Sequence, residues 1–462
     1  MPASAVDPGL RALPSLAPET ASVPRGSLLQ PRVAQVLQLG LLLMVVGQLG
    51  RIPILEAGVK EAPLLVNDLL VVATVLFAGA VALRRQHLHL DVTGGLALLF
   101  AAVGGISVAV SVGKYDLSLF QLLFSLAYLG RWLAYFSLYL VAVNFLRRGD
   151  VTPVWNSLEG AILLFAGFGI IQSAFLPGFA QIVYPDAALY TQWDPQGRRL
   201  VSTFLDPNFA GALIVMGLLV QLGRLAYGAS VPAWKPLMLV AALILTLSRS
   251  SFLALAVGGM VVLLARGLSR RLLKLSALAV VLTLPFVPYA VDFAVTYNKL
   301  SLDDPSLLGR IIAWDRALQV LADNPVLGVG FNSYGFVQLK YGFAELSQSA
   351  FGLDGGLLFI AVMTGGVGVL IYSAMVSSVL LRCRRVRRAT DRTAAERGLA
   401  VGVAAATVAL LVHSLFLNSI IYPFLTQVLW ILWALTFAAS LRDPREGEEP
   451  GGPGVRLVQV PP

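Results

Sequence analysis

Apolar residues in this chain come in long unbroken runs, not in the alternation of a half-buried strand or the one-sided stripe of a surface helix. A helix needs about 20 mainly apolar residues to cross a bilayer. Twelve runs approach that length: 33–50, 64–83, 95–113, 119–146, 157–178, 208–226, 233–247, 249–266, 272–290, 355–382, 399–418 and 422–440. The runs 233–247 and 249–266 have only Ser248 between them and predict a tight helical hairpin. The run 119–146 is long enough to tilt or to extend beyond the bilayer. The pattern predicts an all-α polytopic membrane protein of about twelve transmembrane helices.

The polar segments divide the chain further. Residues 1–32 carry no charged start, short apolar core and small-residue cleavage site, so they read as a disordered cytoplasmic tail. Residues 33–290 hold helices one to nine, with a longer outer loop at 179–207. Residues 291–354 form a large loop before helices ten to twelve at 355–440, and 441–462 is a second disordered cytoplasmic tail. Most links between packed helices are short, and long ones tend to be functional or disordered. The 291–354 loop contains its own helix-like stretch, Arg310 to Ala322, with Ile311, Ile312, Leu318 and Leu321 as its apolar positions. Asn324-Pro325, Gly328 and Gly330 stop that helix. The loop is the natural place for chemistry.

Composition agrees: 57% of residues are hydrophobic and only 13% charged, about half the ~25% of soluble domains. An ordinary soluble enzyme, a disordered chain and a disulfide scaffold are excluded; the single cysteine, Cys383, has no partner within the chain. The net charge of +9 would suggest nucleic acid in a soluble protein. Its distribution points elsewhere. With the N-terminus inside, 23 of the 34 Lys and Arg residues fall on cytoplasmic segments. The excess orients the chain, with both termini cytoplasmic, and calls for no nucleic-acid partner.

The sequence lacks a phosphate-binding P-loop, a dinucleotide fingerprint and zinc-spaced His/Cys clusters. His87 and His89 read as ordinary loop residues; His413 lies near the outer end of the eleventh span, where an ionisable residue carries either function or a buried hydrogen bond. Arg131 sits mid-span, with no carboxylate evident at matching depth except Glu159, a weak candidate. The strongest signal is the outer-face arginines. Arg198 and Arg199 precede Asp206-Pro207-Asn208, Arg249 lies in Thr246-Leu247-Ser248-Arg249-Ser250-Ser251, and Arg310 and Arg316 belong to the large loop. Arginine presents a permanently charged planar fork matched to phosphate oxygens, so several together suit a diphosphate. The simpler reading pairs each with a nearby Asp194, Asp206, Asp315 or Asp323.

Three stretches carry a resemblance. GRRLVSTFLDPNFAG at 197–211, TLSRSSFLAL at 246–255 and RIIAWDRALQVLADNPVLGVGFNSY at 310–334 resemble, in order, the motifs of the bacterial O-antigen ligase and polymerase superfamily. The resemblance covers roughly residues 190–380 and extends to the large outer loop before the last three helices. There is one departure: the ligases' His-Asn pair falls here on Asp354 and Gly355.

The resemblance implies a glycosyltransferase of the bacterial cytoplasmic membrane. Its donor would be an undecaprenyl-diphosphate-linked oligosaccharide, its acceptor a glycan or lipid, and it would use no metal or cofactor. The departure at Asp354 favours polymerase over ligase. In this scheme Arg198, Arg199, Arg249 and Arg310 bind or neutralise the diphosphate, with Asn208 and Tyr334 among the substrate-binding positions. Asp354 acts as a general base, or else only caps the tenth span. Trp314, four positions after Arg310, shares its helix face and can stack on sugar. Arg316 is a weaker substrate-binding candidate, six positions from Arg310 and turned away from it, with Asp323 as a possible partner. The alternative is a twelve-span transporter or lipid-linked glycan flippase, which would place polar residues near the midplane in broken helices.

Overall fold

The computed structural model describes residues 30–57, 60–83, 89–184, 197, 199–267, 287–296, 305–343 and 353–441, with single positions between 270 and 284. The helices are α1 (Gln30–Leu43), α2 (Val66–Ala82), α3 (Val92–Tyr115), α4 (Leu119–Phe145), α5 (Val151–Phe175), α6 (Phe179–Val183), α7 (Pro207–Ala226) and α8 (Trp234–Thr246). They continue as α9 (Arg249–Arg266), α10 (Val287–Thr296), α11 (Pro305–Asp323), α12 (Tyr334–Lys340), α13 (Gly356–Arg388), α14 (Ala394–His413) and α15 (Pro423–Ser440). Among the described residues nine helical segments are long and apolar enough to cross a membrane, and Val66–Ala82 and Trp234–Thr246 are shorter apolar helices. The protein is a multi-pass, essentially all-α membrane protein. Most of the expected span 272–290 lies outside the described residues, and its last four positions begin α10.

Two boundaries differ from the hydropathy reading. Strand β1 (Ile52–Ala57) pairs antiparallel with β2 (Lys60–Leu64), Pro53 opposite Pro63, so the run starting at 64 becomes helical only at Val66. Helix α13 is 33 residues long, more than a bilayer needs, and ends in an arginine-rich turn. Capping fixes several starts. Asp91 accepts from the Gly94 amide at 2.9 Å, Ser118 and Gln121 form a capping box on α4, and Thr393 and Glu396 form another on α14. Helices α8 and α9 do meet at a tight turn, yet each packs on α7 rather than along the other.

The late start of α2 corrects the reading of Arg131. Asp68, in the first turn of α2, lies 2.8 Å from the Arg131 guanidinium and also accepts from the Tyr135 hydroxyl at 2.9 Å. Asn67 donates to Tyr135 Oη and to Gln427 Oε1, which joins α2, α4 and α15 in one buried polar network. In the low-dielectric interior such hydrogen bonds are stronger than in water. Glu159 is engaged elsewhere, by Lys235 and by the Gln221 amide.

Helices α7 and α14 cross backbone to backbone. A Cβ built on Gly402 would lie 2.5 Å from Val220 Cα, and one on Gly398 2.6 Å from Arg224 Cα. Small residues four apart let membrane helices approach in this way. Because the obstacle is backbone, no rotamer relieves it. Gly402→Leu is expected to destabilise the protein by about 3 kcal/mol, read as a lower unfolding temperature in detergent; an unchanged temperature would contradict the crossing.

A second glycine contact positions the large loop. Helix α13 is broken at Gly365 (φ 63°, ψ −167°). Into the break fits the segment Pro325–Gly330, whose Gly328 and Gly330 have φ of 68° and 96°. The Val329 and Gly330 amides donate to the Val362 and Met363 carbonyls, and the Gly366 and Val367 amides donate to those of Pro325 and Val326. A Cβ on Gly365 or Gly328 would meet these carbonyls at 2.2–2.3 Å. The stretch of the expected outer loop from Pro325 to Gln338 is therefore folded into the bundle, with Val329, Tyr334 and Val337 buried. This docking pins the C-terminal end of α11, the helix that carries Arg310 and Trp314.

Candidate functional site

The site lies at one end of the bundle, where the start of α7, the α8–α9 turn, α11, the start of α13 and the turn after α14 converge. Its floor is the stretch 199–206. The Gln172 side chain of α5 accepts from the Val201 and Ser202 amides at 3.0 and 3.1 Å, and Leu200 fills a notch that Gly169 leaves in the same helix. Asp206 then caps α7, accepting from the Asn208 and Phe209 amides at 2.7 and 3.1 Å, with Pro207 at the first helical position.

Arg199 is stitched to the neighbouring turn. Its Nε donates to the Thr246 carbonyl at 2.8 Å and its Nη2 to Asn208 Oδ1 at 3.2 Å. Asn208 thus acts as a holder of Arg199. Leu247 takes a left-handed conformation (φ 50°) and Ser248 caps α9, so Arg249 becomes the first residue of that helix, with its side chain exposed. Ser248 Oγ donates to Asn208 Oδ1 at 3.0 Å, tying two helix N-termini together. Helix N-termini favour anions.

Arg310 of α11 faces Asp354, with Nε 3.3 Å from Oδ2. Asp354 does not cap α13. The N-cap is Gly355, and the Gly356 and Leu357 amides are taken by the Leu417 and Ser414 carbonyls. The indole N–H of Trp314 donates to the Asp354 carbonyl. Gly355 (φ 129°) is required here, because its Cβ would lie 3.1 Å from that indole nitrogen and 3.2 Å from the Leu415 carbonyl. Trp314 therefore locks the chain at Asp354. His413 is buried, within 3.1 Å of Ser250 and Ser251, and within electrostatic reach of Arg310.

The electrostatics bear on chemistry. The Asp354 side chain is 45% exposed. Burial by the surrounding protein pushes its carboxyl above the ordinary value, against the pull of Arg310. Asp206 is pushed up to about 6, by burial first and by the Asp354 charge; its two amide donors and Arg199 oppose the rise. Arginines beside a carboxyl that titrates high can bind an anion and accept a proton in one place. Among the described residues no group of three His, Cys, Asp or Glu side chains could hold a metal ion.

The other sequence candidates stand apart. Arg316 donates to the Phe343 carbonyl at 3.2 Å, while Asp323 accepts from Tyr341. Tyr334 is buried against Phe359. Arg198 lies outside the described residues. From the sequence Asp206 reads only as an arginine partner; the Asp-Pro-Asn signal for a helix start, placed beside Arg199, is what marks it as a site carboxyl.

Residues 237–373 match the family model described as O-Antigen ligase. That span runs from α8 into α13 and includes Arg249, Arg310 and Asp354, but not Arg199 or Asn208. A stretch of 195 residues is 20% identical to a Rickettsia felis protein named "Putative polysaccharide ligase", covering 40% of this chain and 44% of that protein. The match thus spans less than half the length of that curated relative. Both comparisons support the O-antigen ligase and polymerase superfamily as the family this chain resembles.

Proposed function

We propose that the protein is a membrane glycosyltransferase that moves undecaprenyl-diphosphate-linked glycan to an acceptor hydroxyl at the extracytoplasmic face of the cytoplasmic membrane, and that it acts as a polymerase more readily than as a ligase. The observation that carries this reading is the Arg310–Asp354 ion pair lying within electrostatic reach of Asp206, the carboxyl that Arg199 also faces. The acceptor oxygen forms a bond to the anomeric carbon of the donor while the bond from that carbon to the diphosphate breaks. The hydroxyl proton passes to the Asp354 carboxylate. The arginines take up the charge that develops on the departing diphosphate, the kind of fixed electrostatic support that contributes most to such steps.

The transporter reading gains support from the break in α13, since carriers bind cargo at broken helices. Here, however, the Val362 and Met363 carbonyls and the Gly366 and Val367 amides are engaged by the 325–330 segment, and Arg131 is paired with Asp68. Both features are thereby accounted for as structure.

The test is reconstitution in proteoliposomes with an undecaprenyl-diphosphate oligosaccharide. Release of undecaprenyl diphosphate with longer glycan products is expected. Transfer to a second lipid instead would favour the ligase arm. Movement of intact donor across the bilayer without release of diphosphate would replace the enzyme by the flippase.

A further inference from the structure

We infer that His413 is a positioning residue for the arginine cluster: through a continuous chain of hydrogen bonds its ring holds the 246–251 turn and Arg199 in the arrangement a diphosphate would meet. The inference rests on the glycosyltransferase reading. His413 ends α14 and is completely buried, as are Ser248, Ser251 and Ser419. Its Nδ1 lies 2.6 Å from Ser419 Oγ, and its Nε2 lies 3.1 Å from both Ser250 Oγ and Ser251 Oγ. Ser251 Oγ donates to Ser248 Oγ at 2.9 Å, and Ser248 Oγ donates to Asn208 Oδ1 at 3.0 Å. Arg199 Nη2 reaches the same oxygen at 3.2 Å. The chain therefore runs from the turn after α14 to a site guanidinium and passes on both sides of Arg249.

Counting protons gives the chain a direction. Asn208 Oδ1 only accepts, so the Ser248 hydroxyl proton points to it. Of the acceptors near Ser251 Oγ, Ser248 Oγ at 2.9 Å is closer than the Asn208 carbonyl at 3.4 Å, and with the proton directed to Ser248 a Ser251 lone pair faces the ring. In this direction His413 carries its hydrogen on Nε2 and accepts from Ser419 at Nδ1. A buried ring whose partners are all hydroxyls is held as neutral imidazole, since an unpaired buried charge is costly. Ser251 has no slack: a Cβ on Gly211 of α7 would stand 2.4 Å from its Oγ, so the hydroxyl is clamped between that glycine and the imidazole. Histidine suits the position because one rigid ring spans the gap between Ser419 and the turn.

The experiment compares His413→Gln, His413→Asn and His413→Ala in the reconstituted full chain. The glutamine amide reaches where Nε2 stood and keeps the donor to Ser251; asparagine stops a carbon short. The alanine and asparagine variants are expected to raise the donor KM about tenfold with the acceptor KM unchanged, and glutamine to restore it to within about threefold. A merely structural loss would reduce the active fraction and leave both KM values in place. That outcome, or equal behaviour of the glutamine and asparagine variants, overturns the inference.

A second readout does not depend on activity. The chain has three histidines, so a His87→Gln/His89→Gln background isolates the ring nitrogens of His413 for nitrogen-15 resonance. A protonated Nε2 and bare Nδ1, both perturbed by Ser251→Ala, are expected; a proton on Nδ1 contradicts the chain. Absence of glycan transfer by the unmodified protein would remove the functional reading, and the ring nitrogens would still decide the hydrogen-bond geometry.

Discussion

Arg249→Ala is expected to lower glycan transfer by about 10²–10³-fold, the range seen when one fixed donor to a developing oxyanion is removed. The residue stands at the first position of α9 with its side chain exposed, while its neighbours Ser248, Ser250 and Ser251 hold the turn. Its removal should therefore cost charge at the site and little folding energy. Membrane insertion and unfolding temperature should stay at the values of the unmodified protein. Arg249→Lys keeps the charge and loses the planar fork, so it should fall between the two. Arg310→Ala should be at least as damaging, because it also leaves Asp354 without its ion-pair partner. Glycan of normal length and amount from folded Arg249→Ala protein would exclude a diphosphate site at this turn.

Which parts of this picture were legible in the sequence follows from the range of each interaction. The spans were readable because a bilayer demands length and apolarity within one segment. The turn at Leu247 and Ser248 and the helix start at Asp206-Pro207 were readable for the same local reason. Six positions at 100° each turn Arg316 to another helix face than Arg310, and there it donates to the Phe343 carbonyl. What failed depends on contacts between distant segments. Asp68 of α2 meets Arg131 of α4 across 63 positions of sequence. Asn324-Pro325 and the glycines after it were read as a helix stop, yet they also fill the break at Gly365, a fit of backbone against backbone with no side-chain signature. Tyr334 follows that docking into the core. Asp354 looked like a helix cap by position; Gly355, at a φ of 129°, takes that place and leaves the carboxyl facing Arg310.

That placement makes Asp354→Asn the sharper test of mechanism. Asparagine keeps the size of the side chain and can still be held near Arg310, but it cannot take a proton from the acceptor hydroxyl. General-base loss typically costs 10²–10⁴-fold, so a fall of about 10³-fold in turnover is expected, with donor binding changed far less. The pH profile supplies the second reading. Burial raises the Asp354 carboxyl in the folded protein, so the reactive carboxylate fills only above the ordinary carboxylate range. Turnover should rise with pH through that raised value and then level, and the same limb should vanish from the residual activity of Asp354→Asn. Stability should move in the opposite sense. The folded carboxyl holds its proton more tightly than the unfolded one, so its contribution is fullest at low pH and is lost as pH rises from the unfolded value through the folded one. Asp206, raised to about 6, contributes with the same sign and persists in the variant. An acid limb unchanged by Asp354→Asn, at an undiminished rate, would transfer the role of base away from Asp354 and leave Asp206 as the carboxyl to replace next.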